Sequence, residues 1–267
     1  MKIAIPIIKS FINGFSSLVK KNRDIRKYLF TVSLKDEIIS FFDNEYYQGY
    51  SHINKAISVA RQYYSTEDII IDVGGADGTT PKIFSKAFPN NNIYVFEPIN
   101  ENYIVIGKLI KEYPNIKLIA KAAGNIEGKT TINKASRITA SSIFELNVDK
   151  DSAVFADQLK DEGKESIEIT TIDNAIPSGK AVLLMKIDVQ GFELEVLKGA
   201  GRILTNTKVI VLEMNNHEYY KGAPKYYEID EYLRKNNFVL YDIFPSLKDN
   251  GRLKEWDAIY LNNLITK

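Results

Sequence analysis

Residues 69–80 read IIIDVGGADGTT. Three isoleucines lead through Asp72 and Val73 into three glycines, Gly74, Gly75 and Gly78. A short apolar run that ends in turn residues is a buried strand. Glycines directly behind it supply backbone angles that a side chain forbids, or let a ligand approach bare backbone. Thr79 to Phe88 then reads as a helix, with Pro81 tolerated in its first turn. Strand, glycine turn and helix form the first unit of an α/β sheet, in which ligands sit beyond the carboxyl ends of the strands.

The pattern continues outward. NNIYVFEP is a second strand, Asn100 to Tyr113 a helix, and NIKLIAKAA a third strand. From about 125 to 170 the helical period is lost. GKTT and IEITTID predict short strands there, around a polar loop, RITASSIFELNVDKDS, that either closes over a site or is an inert insertion. AVLLMKIDV restores the alternation, followed by a helix from Phe192 to Leu204 interrupted near Gly199 and Gly201. TKVIVLEMNN is a strand and Lys225 to Lys235 a helix. FVLYDIF and WDAIYLNNL are joined by Asn250-Gly251, a hairpin connection. The expected architecture is a largely parallel sheet covered on both faces, with an antiparallel addition near the end.

The chain has 267 residues, 45% apolar and 26% charged, in the range of an ordinary globular protein. The expected division is a helical extension, 1–65, and an α/β domain, 66–267. Phe11, Phe15 and Leu18 share one helix face in the extension, and Leu34, Ile38, Ile39 and Phe42 mark another. Lys and Arg number 35 against 34 Asp and Glu, so no global field favours nucleic acid. No cysteine is present, which excludes disulfides, thiolate metal sites and cysteine nucleophiles. The opening MKIAIPIIKSFINGFSSLVKK is broken by Pro6, Lys9, Asn13 and Gly14. It predicts neither a secretory signal nor a membrane span. It either packs on the main domain or makes weak surface contact with a membrane. Cytoplasmic residence is the expectation.

Two features point to a nucleoside-bearing cofactor. The glycine spacing is not G-x-G-x-x-G, since Ala76 and Thr79 stand where glycines would be needed, and the Walker lysine is missing. Glu97 ends the second strand, 19 residues after Gly78, where a carboxylate accepts hydrogen bonds from ribose hydroxyls. Asp72 either fixes the turn or meets a positive group on the cofactor. In LLMKIDVQGFELEVL, Lys186 interrupts a buried strand and needs a partner. Asp188 shares its strand face, and Glu193 opens the next helix, where negative charge is favoured. This trio is either a polar floor for an acceptor hydroxyl or an ion-pair support for the Gly191 turn. Asp188 is the first candidate to position or deprotonate an acceptor, and His217 the second, against the alternative of an exposed histidine. Glu213 either meets the acceptor or pairs with Lys186. Asp188, Glu213 and His217 follow no metal-ligand spacing, and no metal is expected.

The stretches IDVGGADGTT, VFEPINENY, AAGNIEGKTTI, TASSI, ITTID, LMKIDVQGFELEVLKGA and VIVLEMN, in this order, resemble the FkbM family of class I methyltransferases that use S-adenosyl-L-methionine. The resemblance covers roughly residues 69 to 216. It implies a Rossmann-like seven-stranded sheet whose last strand is antiparallel. It implies that Asp72, Gly74, Gly75 and Gly78 surround the methionine portion of the cofactor, that Glu97 binds the ribose, and that Pro98 and Ile99 flank the adenosine. Ala122 and Ala123 fall near the adenine edge, Ser141 and Ser142 match the family's paired serines, and Asp188 lies beside the methyl. The family usually has Ala-Asn where this chain has Gly75-Ala76, and Gln190 stands where Glu is also common. The implied reaction is O-methylation of a small molecule or carbohydrate. An NAD-dependent oxidoreductase and a non-catalytic binding protein on the same fold are the alternatives.

Overall fold

The computed structural model describes residues 50–136, 138–147 and 161–266. The helices expected around Phe11 and Ile38, and part of the polar loop, lie outside these residues. The chain divides into two compact units, Met1–Ser51 and His52–Lys267. All that follows, Ser51 excepted, belongs to the second.

Its elements, numbered in chain order, begin with helix α1 (Ser51–Ala60), strand β1 (Ile69–Val73), α2 (Thr79–Ala87), β2 (Ile93–Phe96), α3 (Asn100–Glu112) and β3 (Ile116–Ile119). Three strands follow, β4 (Ala122–Ala123), β5 (Gly128–Ala135) and β6 (Asp161–Thr170), then α4 (Ile172–Ala175) and β7 (Val182–Ile187). The chain continues through α5 (Glu193–Lys198), α6 (Gly201–Leu204), β8 (Thr207–Asn215), α7 (Tyr226–Lys235), β9 (Phe238–Asp249) and β10 (Arg252–Asn262).

Seven strands form one sheet in the order β3-β2-β1-β7-β8-β10-β9. The first five are mutually parallel, and β10 runs antiparallel to both β8 and β9. The last strand is therefore the reversed one, inserted between β8 and β9. The central strands are apolar runs because both faces are covered: all five residues of β1 and all six of β7 are buried. Edge strand β9 instead exposes Val239, Leu240, Tyr241 and Ile243.

One face of the sheet contributes Ile69, Ile71, Val73, Met185, Ile187, Ile210 and Leu212 to a core shared with Val196, Leu197, Ile203, Leu204, Ile229 and Leu233 of α5, α6 and α7. The alternate residues Ile70, Leu184, Val209 and Val211 turn to the other face. There Asp257 of β10 meets His52 of α1 at 3.3 Å, which sets α1 against that face. Ile53, Ala56 and Ala60 of α1 are fully buried.

The short strands expected between 125 and 170 do not extend the large sheet. They form a second sheet, β4-β6-β5, with Ala122 and Ala123 pairing to Ile169 and Thr170. Ile132, Ile167 and Ile169 bury one side against the main core, while the intervening residues face water. The expected interruption of the helix after Phe192 is real. A Cβ on Gly199 would lie 1.8 Å from the Gly124 carbonyl oxygen, so two backbones touch where α5 gives way to α6.

Candidate functional site

The parallel strands β1, β2 and β7 end side by side. Behind β1, Gly74, Ala76 and Gly78 all take positive φ, at 87°, 38° and 75°. The structure answers why glycine is needed there. A Cβ on Gly74 would lie 2.0 Å from the Asp188 carbonyl oxygen, and one on Gly75 would lie 2.3 Å from Val95 Cγ1. The turn is pressed between the ends of β7 and β2 by the packing of the fold itself.

Its amides are largely taken. Gly74 and Gly75 donate to the Phe96 carbonyl, Gly78 to the Gly75 carbonyl and Thr79 to Asp77 Oδ1. A pyrophosphate needs free amides and a positive helix start. Here the Asp77 carboxylate already takes the first amide of α2, which weighs against the dinucleotide alternative.

Glu97 closes β2 and is only 3% exposed. Its Oε2 accepts from the Ala76 amide and its Oε1 from the Ile99 amide, each at 2.8 Å. Burial pushes its pKa up, against these two bonds. A carboxylate oxygen accepts two hydrogen bonds, so each keeps one position for a further donor. The pair of ribose hydroxyls fits this donor deficit. Pro98 accepts from the Tyr103 hydroxyl, and Ile99 is buried at the start of α3.

Beneath the turn lies a buried ionic group. Lys186 Nζ is 3.5 Å from Asp72 Oδ1, 3.4 Å from Asp188 Oδ2 and donates to the Gly74 carbonyl at 3.2 Å. Burial alone would lower the Lys186 pKa, but Asp188 and Asp72 outweigh it and hold the ammonium protonated. Asp72 is fully buried and neither of its oxygens has a hydrogen bond. Burial raises it to about 6, Lys186 notwithstanding. Asp72 thus lies under the turn and acts on it through Lys186, whereas the side chain of Asp188 is 39% exposed. Burial would raise Asp188, but Lys186 and Gln190 more than offset it and keep its carboxylate below the ordinary range.

Register extends the group sideways. Ile187 pairs with Leu212, and Glu213 with Asp257. Asp188, Glu213 and Asp257 therefore form a row across β7, β8 and β10, on the face that carries Lys186. Each has its own partner. Glu213 accepts from Gln190 Nε2 at 3.2 Å and Asn215 Nδ2 at 2.8 Å, and does not pair with Lys186. Burial raises Glu213 well above the carboxylate range and Asp257 to about 7, and lowers His52 to about 4.

The remaining expected residues divide. Glu193 is buried and its Oε1 accepts from the Val189 and Gly191 amides, at 3.0 and 3.1 Å. It braces the turn after Asp188, and burial raises it to about 7. Ser142 Oγ donates to the Gln190 carbonyl at 2.6 Å, from the opposite side of the same turn. Ser141 Oγ accepts from the Ala135 amide. Ala122 and Ala123 are buried in the core shared with the small sheet. His217 packs edge-on to Tyr219, its Nε2 without a hydrogen bond, and burial lowers its pKa. No group of acidic and histidine residues suited to a metal occurs among the described residues.

Sequence reasoning missed the contributions of Gln190, Tyr220, Asp257 and His52. Asp257 carried a signal, an acid set directly before the apolar run Ala258 to Leu261. The importance of Gln190 rests on its φ of 56° and on partners from three distant segments, which no local pattern encodes.

Residues 72–240, more than half of the chain, match the family model described as the methyltransferase FkbM domain. A curated relative, the 2-O-methyltransferase NoeI of Sinorhizobium fredii, is 22% identical over 188 residues, covering 67% of this chain and 77% of that protein. Among solved structures, an rRNA methylase from Streptococcus thermophilus is 9% identical, with a TM-score of 0.46 over 79% of this chain and 95% of that one. TrmK of M. capricolum, solved with S-adenosyl-homocysteine, is 8% identical, with a TM-score of 0.43 over 80% and 68%.

Proposed function

Since the chain belongs to the FkbM methyltransferase family, we propose that it is an S-adenosyl-L-methionine-dependent O-methyltransferase acting on a hydroxyl of a small molecule or carbohydrate. The observation that carries the reading is the pairing of two different carboxylates around one glycine turn. Glu97 is buried, with acceptor positions left for a ribose. Asp188 is half-exposed, charged, and in backbone contact with the turn through Gly74. The hydroxyl as acceptor is further supported by the 2-O-methyl transfer for which the distant relative is named.

Glu97 and Ile99 would hold the nucleoside side of the cofactor, the turn from Gly74 to Gly78 its methionine portion, and Asp188 would face its reactive end. When bound, the cofactor supplies an electrophilic methyl group on a sulfonium. The protein's own contribution is mainly placement and exclusion of water. Asp188, held ionised by Lys186, accepts a hydrogen bond from the acceptor hydroxyl and aims its oxygen. A carboxylate with a depressed pKa is a weak base, so the hydroxyl proton moves to Asp188 only as the oxygen becomes acidic late in transfer. Lys186 keeps that carboxylate in place and ties it to the turn through the Gly74 carbonyl.

Titration calorimetry with S-adenosylmethionine tests the cofactor half. Methyl transfer to a panel of sugars and small hydroxyl compounds tests the other half. Absence of binding by folded protein defeats the enzyme reading, and tight binding without transfer on a broad panel favours a non-catalytic role.

A further inference from the structure

Gln190 stands in a left-handed conformation, φ 56°, which non-glycine residues adopt only when their surroundings impose it. Its surroundings are unusually specific. Nε2 donates to Asp188 Oδ1 at 2.9 Å and to Glu213 Oε2 at 3.2 Å. Oε1 lies 2.9 Å from the Tyr220 hydroxyl. The backbone carbonyl of Gln190 accepts from Ser142 Oγ. Tyr220 is buried, and its ring lies against Gly191, where a Cβ would meet it at 3.3 Å.

The orientation of the amide follows from chemistry. The ionised Asp188 carboxylate, an acceptor only, calls for the N–H end of the amide, and the Tyr220 hydroxyl on the other side can give its proton to Oε1. The Tyr220 hydroxyl also lies 3.0 Å from the Ala140 carbonyl, but has one proton to give. Turning the amide over would set Oε1 against the ionised Asp188 carboxylate. The Asp188 contact therefore orients the amide, and the amide in turn holds one oxygen of Asp188.

We propose that Gln190 is the positioning residue of the transfer site: its amide bridges Asp188 and Glu213, fixing the direction of the Asp188 carboxylate and allowing two adjacent acids to share one wall. This rests on the function proposed above for Asp188, while the hydrogen-bonded bridge itself can be tested without turnover. A glutamate, common at this place in the family, would bring no N–H group to bridge this chain's Asp188 and Glu213. The substitution Gln190→Glu would add a third acid to Asp188 and Glu213, in a neighbourhood that also holds Lys186, Glu193 and Asp257, and the three could not all ionise.

The test uses the full chain with Gln190→Met, Gln190→Glu and Tyr220→Phe. Carbon-detected NMR titration of the aspartate carboxyls reads the Asp188 pKa directly, and calorimetry with S-adenosylmethionine on the same samples reads the cofactor site. Gln190→Met should raise the Asp188 pKa by about one unit, since a hydrogen bond to its charged form is lost. Tyr220→Phe should raise it by less, because the amide is unlocked but present. Gln190→Glu should carry an extra proton at neutral pH and lose stability relative to the parent as pH rises from about 5 to 8. An unchanged Asp188 titration in Gln190→Met, with the protein folded, overturns the proposal, whether its melting temperature falls or not. Failure of the parent to bind S-adenosylmethionine would defeat the cofactor assignment alone, leaving the titration result to stand separately.

Discussion

At the scale of single residues, the site assigns different work to chemically equal groups. Glu97 and Asp188 are both carboxylates at strand ends, but one is buried with amide partners and the other is open and salt-bridged. Glu97→Ala should weaken S-adenosylmethionine binding by about 10- to 100-fold, the worth of one or two hydrogen bonds to a charged group. Asp188→Asn should leave binding within about threefold and lower kcat by about 100-fold, the scale of positioned proton-accepting groups. Calorimetry and initial rates separate the two, and identical losses in both variants would refute the division of roles. A pH effect follows from the buried acids. Burial raises Asp72 to about 6, and Glu193 and Asp257 to about 7, above their unfolded values of about 4. The folded state then holds more protons than the unfolded one between those limits. Their stabilisation is complete below about pH 4 and is lost as pH rises through 6 to 7. Asp188, depressed, and His52, lowered to about 4, run the other way, but the raised acids, with Glu97 and Glu213 among them, outnumber them. Urea unfolding should show stability falling from pH 5 to 8, and Glu193→Gln should flatten part of that slope while keeping an acceptor for the Val189 and Gly191 amides.

At the scale of elements, most of the large sheet was legible and the small one was not. IIIDV and VLLMKI declare themselves because strands buried on both faces are continuous apolar runs. The hairpin of β9 and β10 declares itself through Asn250-Gly251. The separate β4-β6-β5 sheet does not, since pairing partners 26 to 47 residues apart leave no local trace. Glu97, Lys186 and Asp188 were legible as charges at strand ends. The bridging role of Gln190 was not, because its partners meet only after β7, β8 and the Tyr220 turn converge. Gly74→Ala and Gly199→Ala probe the close contacts between elements. Each places a Cβ within 2.0 Å of a backbone carbonyl oxygen, Asp188 in one case and Gly124 in the other. Both should cost about 2–3 kcal/mol or more in urea unfolding, as overpacking against backbone does. Only Gly74→Ala should also weaken S-adenosylmethionine binding in the molecules that remain folded. Equal loss of binding in both would show the turn to be no more than a packing element.

At the scale of the whole molecule, every residue expected to touch the cofactor lies in the unit His52–Lys267. No helix among the described residues is long and apolar enough to cross a membrane. A chain beginning at residue 52 should therefore fold and bind S-adenosylmethionine within about threefold of the full chain. One beginning at residue 66, the boundary suggested by sequence, should not fold stably. It lacks α1, whose Ile53, Ala56, Ile57, Val59 and Ala60 are buried, and uncovering a few such side chains costs about 1.5–3 kcal/mol each. Circular dichroism and calorimetry on the two lengths decide this, and equal stability would place α1 outside the folding unit. The contact between Gly74 and the Asp188 carbonyl has a larger consequence. Two peptide units meeting without side chains act as a gauge block, so the spacing from the turn proposed to hold the cofactor to Asp188 is set by the backbone. Substitutions along β8 and β10 can then retailor what is admitted without resetting the distance over which a methyl group would have to travel.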